Sequence, residues 1–421
     1  MPQIIVPDHI RQIAQQLTAH GFETVVVGGS VRDALLGRPA KDWDLATSAM
    51  PSEVQVIFPQ TVATTRFGTA LIPVEHELIE VTTYRTEADY DDFRRPSTVD
   101  FTQDLRVDLS RRDLTINAIA YDPVSDELID PFDGRGDLNR GLLRAVGVAS
   151  DRFHEDALRL LRVIRFISSL GFRVEAETER AICQNAPLAS HLASERVGTE
   201  IKRLLAGPYY QVALDRAMDF GLLKYILPEF TDPDDLDHVN QAVSALPVTG
   251  ASYEARWATL LHNHQYDTNP TQMAQQAAWR LGQWALGDDL GQRVAQIILA
   301  ALVEETSVGQ SEAALWRALR PFSPEIFLEG IILRDACWQA QRIFPPHFAE
   351  FDAQAFALYN SGLPRNLSEL NINGDDLIAL GFKAGRELGA LLNELLEATT
   401  ERTVENNYEA LQKFARTRLR G

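Results

Sequence analysis

The feature that most limits what this chain can fold into is a change of pattern near Arg135. Upstream, short β-branched runs alternate with brief helical segments and glycine breaks. Downstream, leucine- and alanine-rich stretches with helical spacing continue to the C-terminus. The pattern predicts an α+β head, a mixed sheet with flanking helices, followed by an elongated all-helical neck, body and tail. At 421 residues there is room for two to four domains. We place the head at residues 1–136, the neck at 137–206, the body at 207–320 and the tail at 321–421, guided by breaks near Gly207-Pro208, Pro228 to Asp237 and Pro345-Pro346. No fixed-period repeat is visible.

Within the head, Ile10, Ile13 and Leu17 mark an amphipathic helix, and Thr24 to Val27 a strand ended by Gly28-Gly29. A helix is expected from Ser30 to Leu36, broken by Gly37-Arg38-Pro39, and another from about Pro51. Strands are expected around Thr69–Val74 and Leu78–Thr83.

Composition excludes several classes. No stretch approaches the roughly 20 apolar residues of a membrane helix, and the N-terminus lacks the basic and apolar regions of a secretory signal. Cys183 and Cys337 are far apart, without CxxC or Cys/His spacing, which argues against disulfides and a structural zinc site and for a cytoplasmic location. The net charge of -19 argues at first against a nucleic-acid partner. However, 35 of the 40 basic residues are arginines, and those between about Arg85 and Arg180 can form a local basic face on an acidic whole.

Three head motifs carry chemistry. Gly28-Gly29-Ser30-Val31-Arg32-Asp33 is a glycine turn between strand and helix, which lets backbone N–H groups approach a phosphate that Arg32 can also reach. In Asp42-Trp43-Asp44, strand geometry would converge the two carboxylates, as Mg2+ requires, and turn Trp43 into the core. Glu80, on a strand of otherwise apolar or β-branched residues, reads either as a further acid beside the metals or as an edge charge. In Asp108-Leu109-Ser110-Arg111-Arg112-Asp113, followed by an apolar helix-like run holding Asn117, Arg112 suits a triphosphate and Asp113 a ribose hydroxyl. Each motif alone has a plain structural explanation. Together they describe two-metal phosphoryl or nucleotidyl transfer.

GGSVRD, DWDLAT and DLSRRDLTINAIA, with Glu155-Asp156-Ala157-Leu158-Arg159-Leu160-Leu161-Arg162 and then Arg165, resemble the bacterial tRNA nucleotidyltransferase and poly(A) polymerase family, most closely its CCA-adding members. The resemblance runs through about residues 20 to 210 and is looser beyond. It implies catalytic Asp42, Asp44 and Glu80, metal at Asp42 and Asp44, and nucleotide binding by Gly29, Arg32, Arg112, Asp156, Arg159, Arg162 and Arg165. Mg2+, CTP, ATP and tRNA are the implied cofactor and partners, with no membrane; a homodimer stays an open option. The selecting helix also has a physical reading. With Asp156 and Arg159 three apart on one helix face, the carboxylate accepts from an exocyclic amino group and the guanidinium donates beside it. Cytosine and adenine satisfy both; uracil and guanine present a carbonyl to the acid. Arg162 and Arg165 suit phosphate or the orientation of that pair.

Residues 83–108, with Arg94-Arg95-Pro96, look like the family's flexible loop for switching from C to A addition, which argues against a CC-adding enzyme. An A-adding enzyme remains the nearest alternative. A poly(A) polymerase is less favoured because the C-terminus is only mildly basic, and an inactive RNA-binding homologue is remote. The glycines at 374, 381, 385 and 389 either meet RNA phosphate or serve as caps. Leu261-His262-Asn263-His264 reads as non-functional, and Trp257, Trp279 and Trp284 as helix core.

Overall fold

The computed structural model describes residues 4–40, 42–64, 68–91, 95–230, 232–247, 250–262, 269–303, 311–342 and 348–419. Arg94 lies outside them. The chain divides into two compact units, Met1–Thr231 and Asp232–Gly421.

The first unit opens with α1 (Asp8–Ala19), which buries Ile10, Ile13, Ala14 and Leu17 at helical spacing. Next come β1 (Thr24–Val27), α2 (Gly29–Leu35), β2 (Asp44–Thr47), α3 (Pro51–Ile57), β3 (Val62–Thr64), β4 (Thr69–Val74) and β5 (Glu77–Thr83). A two-stranded hairpin of β6 (Arg85–Asp91) and β7 (Arg95–Phe101) precedes α4 (Leu105–Ser110), β8 (Ala120–Asp122) and β9 (Glu127–Ile129). The main sheet runs β3-β4-β5-β2-β1-β8-β9, with β2 and β5 parallel and the other neighbours antiparallel.

All four residues of β1 are buried, as a central strand requires. Its Val25 and Val27 pack with Ala46, Tyr84, Leu105, Leu109, Ala118, Ala120 and Val146. Register then places the chemistry. Val27 sits opposite both Asp44 and Ala120, and Leu45 opposite Val81. The glycine turn after β1, the first residue of β2 and Glu80 therefore meet at one end of the sheet.

The helical part of this unit contains α5 (Gly134–Arg140), α6 (Ala149–Glu155), α7 (Leu158–Leu170), α8 (Ala176–Asn185), α9 (Ser194–Ala206), α10 (Tyr210–Asp219) and α11 (Leu223–Ile226). A parallel pair, β10 (Leu142–Leu143) and β11 (Arg173–Val174), ties its start together. Ten of the thirteen α7 residues are buried, which makes α7 its central helix, packed by α9 and α10. Gly207 fits this packing because a Cβ there would lie 2.7 Å from the Ser168 carbonyl oxygen.

The second unit is helical: α12 (Pro233–Ala245), α13 (Tyr253–Leu261), α14 (Pro270–Gln283), α15 (Asp288–Ala301), α16 (Glu312–Leu319), α17 (Pro324–Gln341), α18 (Phe348–Tyr359), α19 (Gly374–Ala379), α20 (Arg386–Thr400) and α21 (Tyr408–Arg418). Among the described residues no helix is long and apolar enough to cross a membrane.

Three expectations need correction. The apolar run after Arg112 is not a helix: a 3-10 turn (Thr115–Asn117) leads into β8, because pairing with β1 completes the sheet and overrides helical spacing. Trp43 precedes β2 and is only half-buried, since the strand begins at Asp44. Trp257 and Trp284 are core, but Trp279 is 52 % exposed, on the outer face of α14.

Candidate active site

A cavity of about 470 Å³ in the first unit is lined by Gly28, Gly29, Arg32, Asp44, Arg112, Asp113, Asp156, Arg159, Arg162 and Arg165, with Arg111, Asn117, Phe166 and Arg196 among the other lining residues. It adjoins a smaller one lined by Asp44, Glu80, Thr82 and Arg112. Of the residues singled out in the sequence, only Asp42 lines neither, although its charge acts on Asp44.

The turn between β1 and α2 depends on Gly28, whose φ of +79° is costly for a side-chain-bearing residue. A Cβ there would also come within 3.3 Å of the Arg112 guanidinium. Arg32 is fixed rather than swinging. It makes a bidentate pair with Asp33 at 2.9 Å and donates to Asn117 Oδ1 at 2.7 Å. Arg112 and Arg111 pair with the buried Asp108 carboxylate at 3.3 and 2.8 Å. Burial would raise the Asp108 carboxyl, but those two arginines hold it below its ordinary value.

The acids across the turn behave oppositely. Asp44, exposed as a residue but with its carboxylate partly desolvated at the cavity, is pushed up to about 6 by that desolvation first, then by Glu80 and Asp42, with Arg112 only partly offsetting them. Three carboxylates crowd one end of the sheet, a donor set of hard oxygens that a divalent cation relieves. The residues present therefore fit the metal that the resemblance implies.

Asp113 differs from its sequence-based role. Its Oδ1 accepts from Leu114 N–H at 2.8 Å and Asn117 Nδ2 at 2.9 Å, and its Oδ2 accepts from Arg162 Nε at 2.7 Å and lies 2.6 Å from Arg162 Nη2. These four contacts fill its acceptor sites, so Asp113 anchors Arg162 rather than waiting for a ribose hydroxyl. Burial opposes its charge, yet Arg162 and the Asn117 hydrogen bond pull the carboxyl well below the carboxylate range.

Asp156 and Arg159 do reach one cavity, but not from one helix. Asp156 is an extended residue (φ −143°) between α6 and α7, and its carboxylate accepts from Leu158 N–H at 3.0 Å. The break exposes a carboxylate that continuous helix would have aimed elsewhere. Arg196 of α9 donates to both its oxygens, at 2.9 and 3.2 Å. Arg159, nearly buried, donates to Glu155 Oε2 and to Arg111 O, both at 2.7 Å. Arg165 pairs with Glu200 at 2.7 Å and lies 4.2 Å from the Phe166 ring centroid, which Arg32 also approaches.

Sequence reading missed Asn117, Arg196 and Glu200 as site residues. Arg196 and Glu200 are four apart on α9, a spacing that marks one helix face, but nothing local shows what that face meets.

A strand-glycine-helix turn, crowded carboxylates on the adjacent strands and an arginine-lined cavity define a nucleotidyltransferase. The poly A polymerase head domain family matches residues 24–144, the family described as a probable RNA and SrmB-binding site of polymerase A matches residues 171–232, and tRNA nucleotidyltransferase domain 2 matches residues 250–415. The chain is 38 % identical over 408 residues to the CCA-adding enzyme of Lactiplantibacillus plantarum, covering 96 % of this chain and 95 % of that one. It is 37 % identical over 412 residues to that of Geobacillus stearothermophilus, covering 97 % and 96 %. The crystal structure of the Bacillus stearothermophilus CCA-adding enzyme in complex with CTP superimposes with a TM-score of 0.74 at 33 % identity, covering 97 % of this chain and 96 % of that one. The chain belongs to the CCA-adding enzyme family. The A-adding, CC-adding and poly(A) alternatives are not favoured by these relatives.

Proposed function

We propose that the cavity of the first unit performs template-independent addition of C, C and A to tRNA 3′ ends from CTP and ATP, with release of pyrophosphate, and we assign the roles as follows. Asp42 and Asp44, with Glu80 beside them, would hold divalent cations, Mg2+ in our reading, which when bound supply Lewis-acid activation of the tRNA 3′-hydroxyl and neutralise triphosphate charge. The hydroxyl attacks the α-phosphorus, and pyrophosphate departs. Gly28, Gly29, Arg32 and Arg112 bind the triphosphate, Arg112 positioned by Asp108 and Arg32 by Asp33 and Asn117. No side chain acts as nucleophile.

Asp156 accepts from the exocyclic amino group of cytosine or adenine while Arg159 donates beside it. Arg196 and Glu155 hold the two in place. Uracil or guanine would leave the carboxylate facing a carbonyl, and a polar site deprived of its partner discriminates strongly. Arg162 and Arg165 shape the wall behind this pair through Asp113 and Glu200.

The reading rests on one observation above the others: phosphate-binding, acidic and base-selecting groups converge on adjoining cavities. The helical segments beyond residue 207, including the glycine-bearing starts of α19 and α20, are read as binding tRNA by shape and backbone. The domain bounds given above and a cytoplasmic location complete the proposal; a homodimer stays an open option, decided by sedimentation equilibrium. The test of the site is Asp42→Ala with Asp44→Ala. That variant is expected to bind tRNA as the parent does and to extend it undetectably; extension at the parent rate would overturn the assignment.

A further inference from the structure

The second unit brings together three side chains that nucleotide addition does not use. His238 lies on α12, His262 immediately follows α13, and Cys337 lies on α17. These helices pack on one another pairwise. One ligand atom from each residue lies within 4.8 Å of the other two. Cys337 Sγ is 3.8 Å from His262 Nδ1, and the two imidazole centroids are 6.0 Å apart. His262 and Cys337 are buried, at 5 % and 8 % exposure.

We propose that His238, His262 and Cys337 form a binding site for a transition-metal ion of the Zn2+ class, clamping α12, α13 and α17. The dimensions fit. With Zn–S about 2.3 Å and Zn–N about 2.05 Å, tetrahedral geometry sets a sulfur-to-nitrogen separation of about 3.6 Å, close to that of the Cys337–His262 pair. A contraction of about 1.2 to 1.5 Å at the widest separation, 4.8 Å at most, completes the set, and a water takes the fourth position. The donor chemistry fits as well. Thiolate and imidazole are soft and borderline ligands that select Zn2+ or Co2+ over Mg2+, whereas Asp42 and Asp44 offer only hard oxygens. Binding displaces the proton of the Cys337 thiol, so affinity rises with pH.

The sequence pattern reads His262 as non-functional and argues against a structural zinc site. That view looked for ligands close together in sequence, whereas these come from three helices. Asn263 and His264 lie outside the described residues.

The test uses the full chain, stripped with a chelator, carrying Cys183→Ser to remove the other, exposed thiol. Co2+ is added with Mg2+ in excess. One equivalent is expected to give a thiolate-to-cobalt charge-transfer band that Zn2+ bleaches. Cys337→Ala should abolish the band, and His238→Gln, which keeps the Cys337–His262 pair, should weaken Co2+ binding at least tenfold. Zn2+ should raise the melting temperature of the parent but not of Cys337→Ala, which should still extend tRNA. Absence of the band, its persistence in Cys337→Ala, or parental affinity in His238→Gln would each overturn the proposal. Should Cys337→Ala fail to fold, the His238→Gln comparison decides alone.

Discussion

Replacing Arg162 by Met tests whether the cavity wall rests on the Asp113–Arg162 pair. Asp113 has 7 % and Arg162 33 % of its side chain exposed, so the substitution leaves a nearly buried carboxylate with only the Leu114 and Asn117 donors. Removing one partner of a buried pair costs about 3–5 kcal/mol, and the exposure of Arg162 places this case near the lower end. About 3 kcal/mol corresponds to roughly a hundredfold larger opening equilibrium. Hydrogen exchange across residues 113–120, measured where opening is rate-determining only through its equilibrium, should accelerate by that factor after correction for intrinsic rates. In Arg162→Met with Asp113→Asn most of the loss should return, since removing both charges leaves no buried, unpaired charge.

The pH dependence follows in sign. In the parent the Asp113 carboxyl is held low, so its contribution is fully present above the ordinary carboxylate pKa and is lost only as pH falls through the lower folded value. In Arg162→Met, burial, the largest influence on this carboxyl, is opposed by the Leu114 and Asn117 donors without Arg162, and that pKa rises. The variant therefore gains stability as pH drops from 7 to 5 while the parent contribution stays constant, and the gap narrows. A gap independent of pH, or a double variant no more protected than the single one, would refute the reasoning.

Two further outcomes are expected. Gly28→Ala, forced to φ +79° with its Cβ against Arg112, should cost about 1–2 kcal/mol of local stability and lower kcat/KM for CTP and ATP alike by about tenfold. Arg196→Met frees the Asp156 carboxylate from its α9 anchor. It should lower kcat/KM for CTP by about tenfold or more and raise UTP misincorporation, both read by single-nucleotide extension assays.

The sequence made legible what is local. β1, its glycine turn, β4 and β5 lie where their residue patterns place them, because strand, turn and helix signals there agree. Asp44, Arg32 and Arg112 could be read from motifs because each is positioned by its own turn or strand start. Asp156 was placed on the right cavity by the wrong geometry: helical spacing hides a break at which an aspartate accepts from the first amide of α7, a familiar start signal for a helix. Asn117 and Arg196 were not legible. One bridges Arg32 to Asp113 across the sheet end, and the other reaches Asp156 from a helix forty residues on. The His238–His262–Cys337 cluster depends likewise on packing between helices that no local spacing encodes.

The central claim is most directly tested by sequencing the 3′ ends made from a tRNA transcript that stops at the discriminator base, with Mg2+ and CTP alone, ATP alone, or both. The account predicts two added cytidines with CTP alone, no complete end with ATP alone, and CCA with both. Ends that stop at CC when both nucleotides are present, or a single A added only to tRNA already ending in CC, would contradict a pocket in which Asp156 and Arg159 read cytosine and adenine in turn.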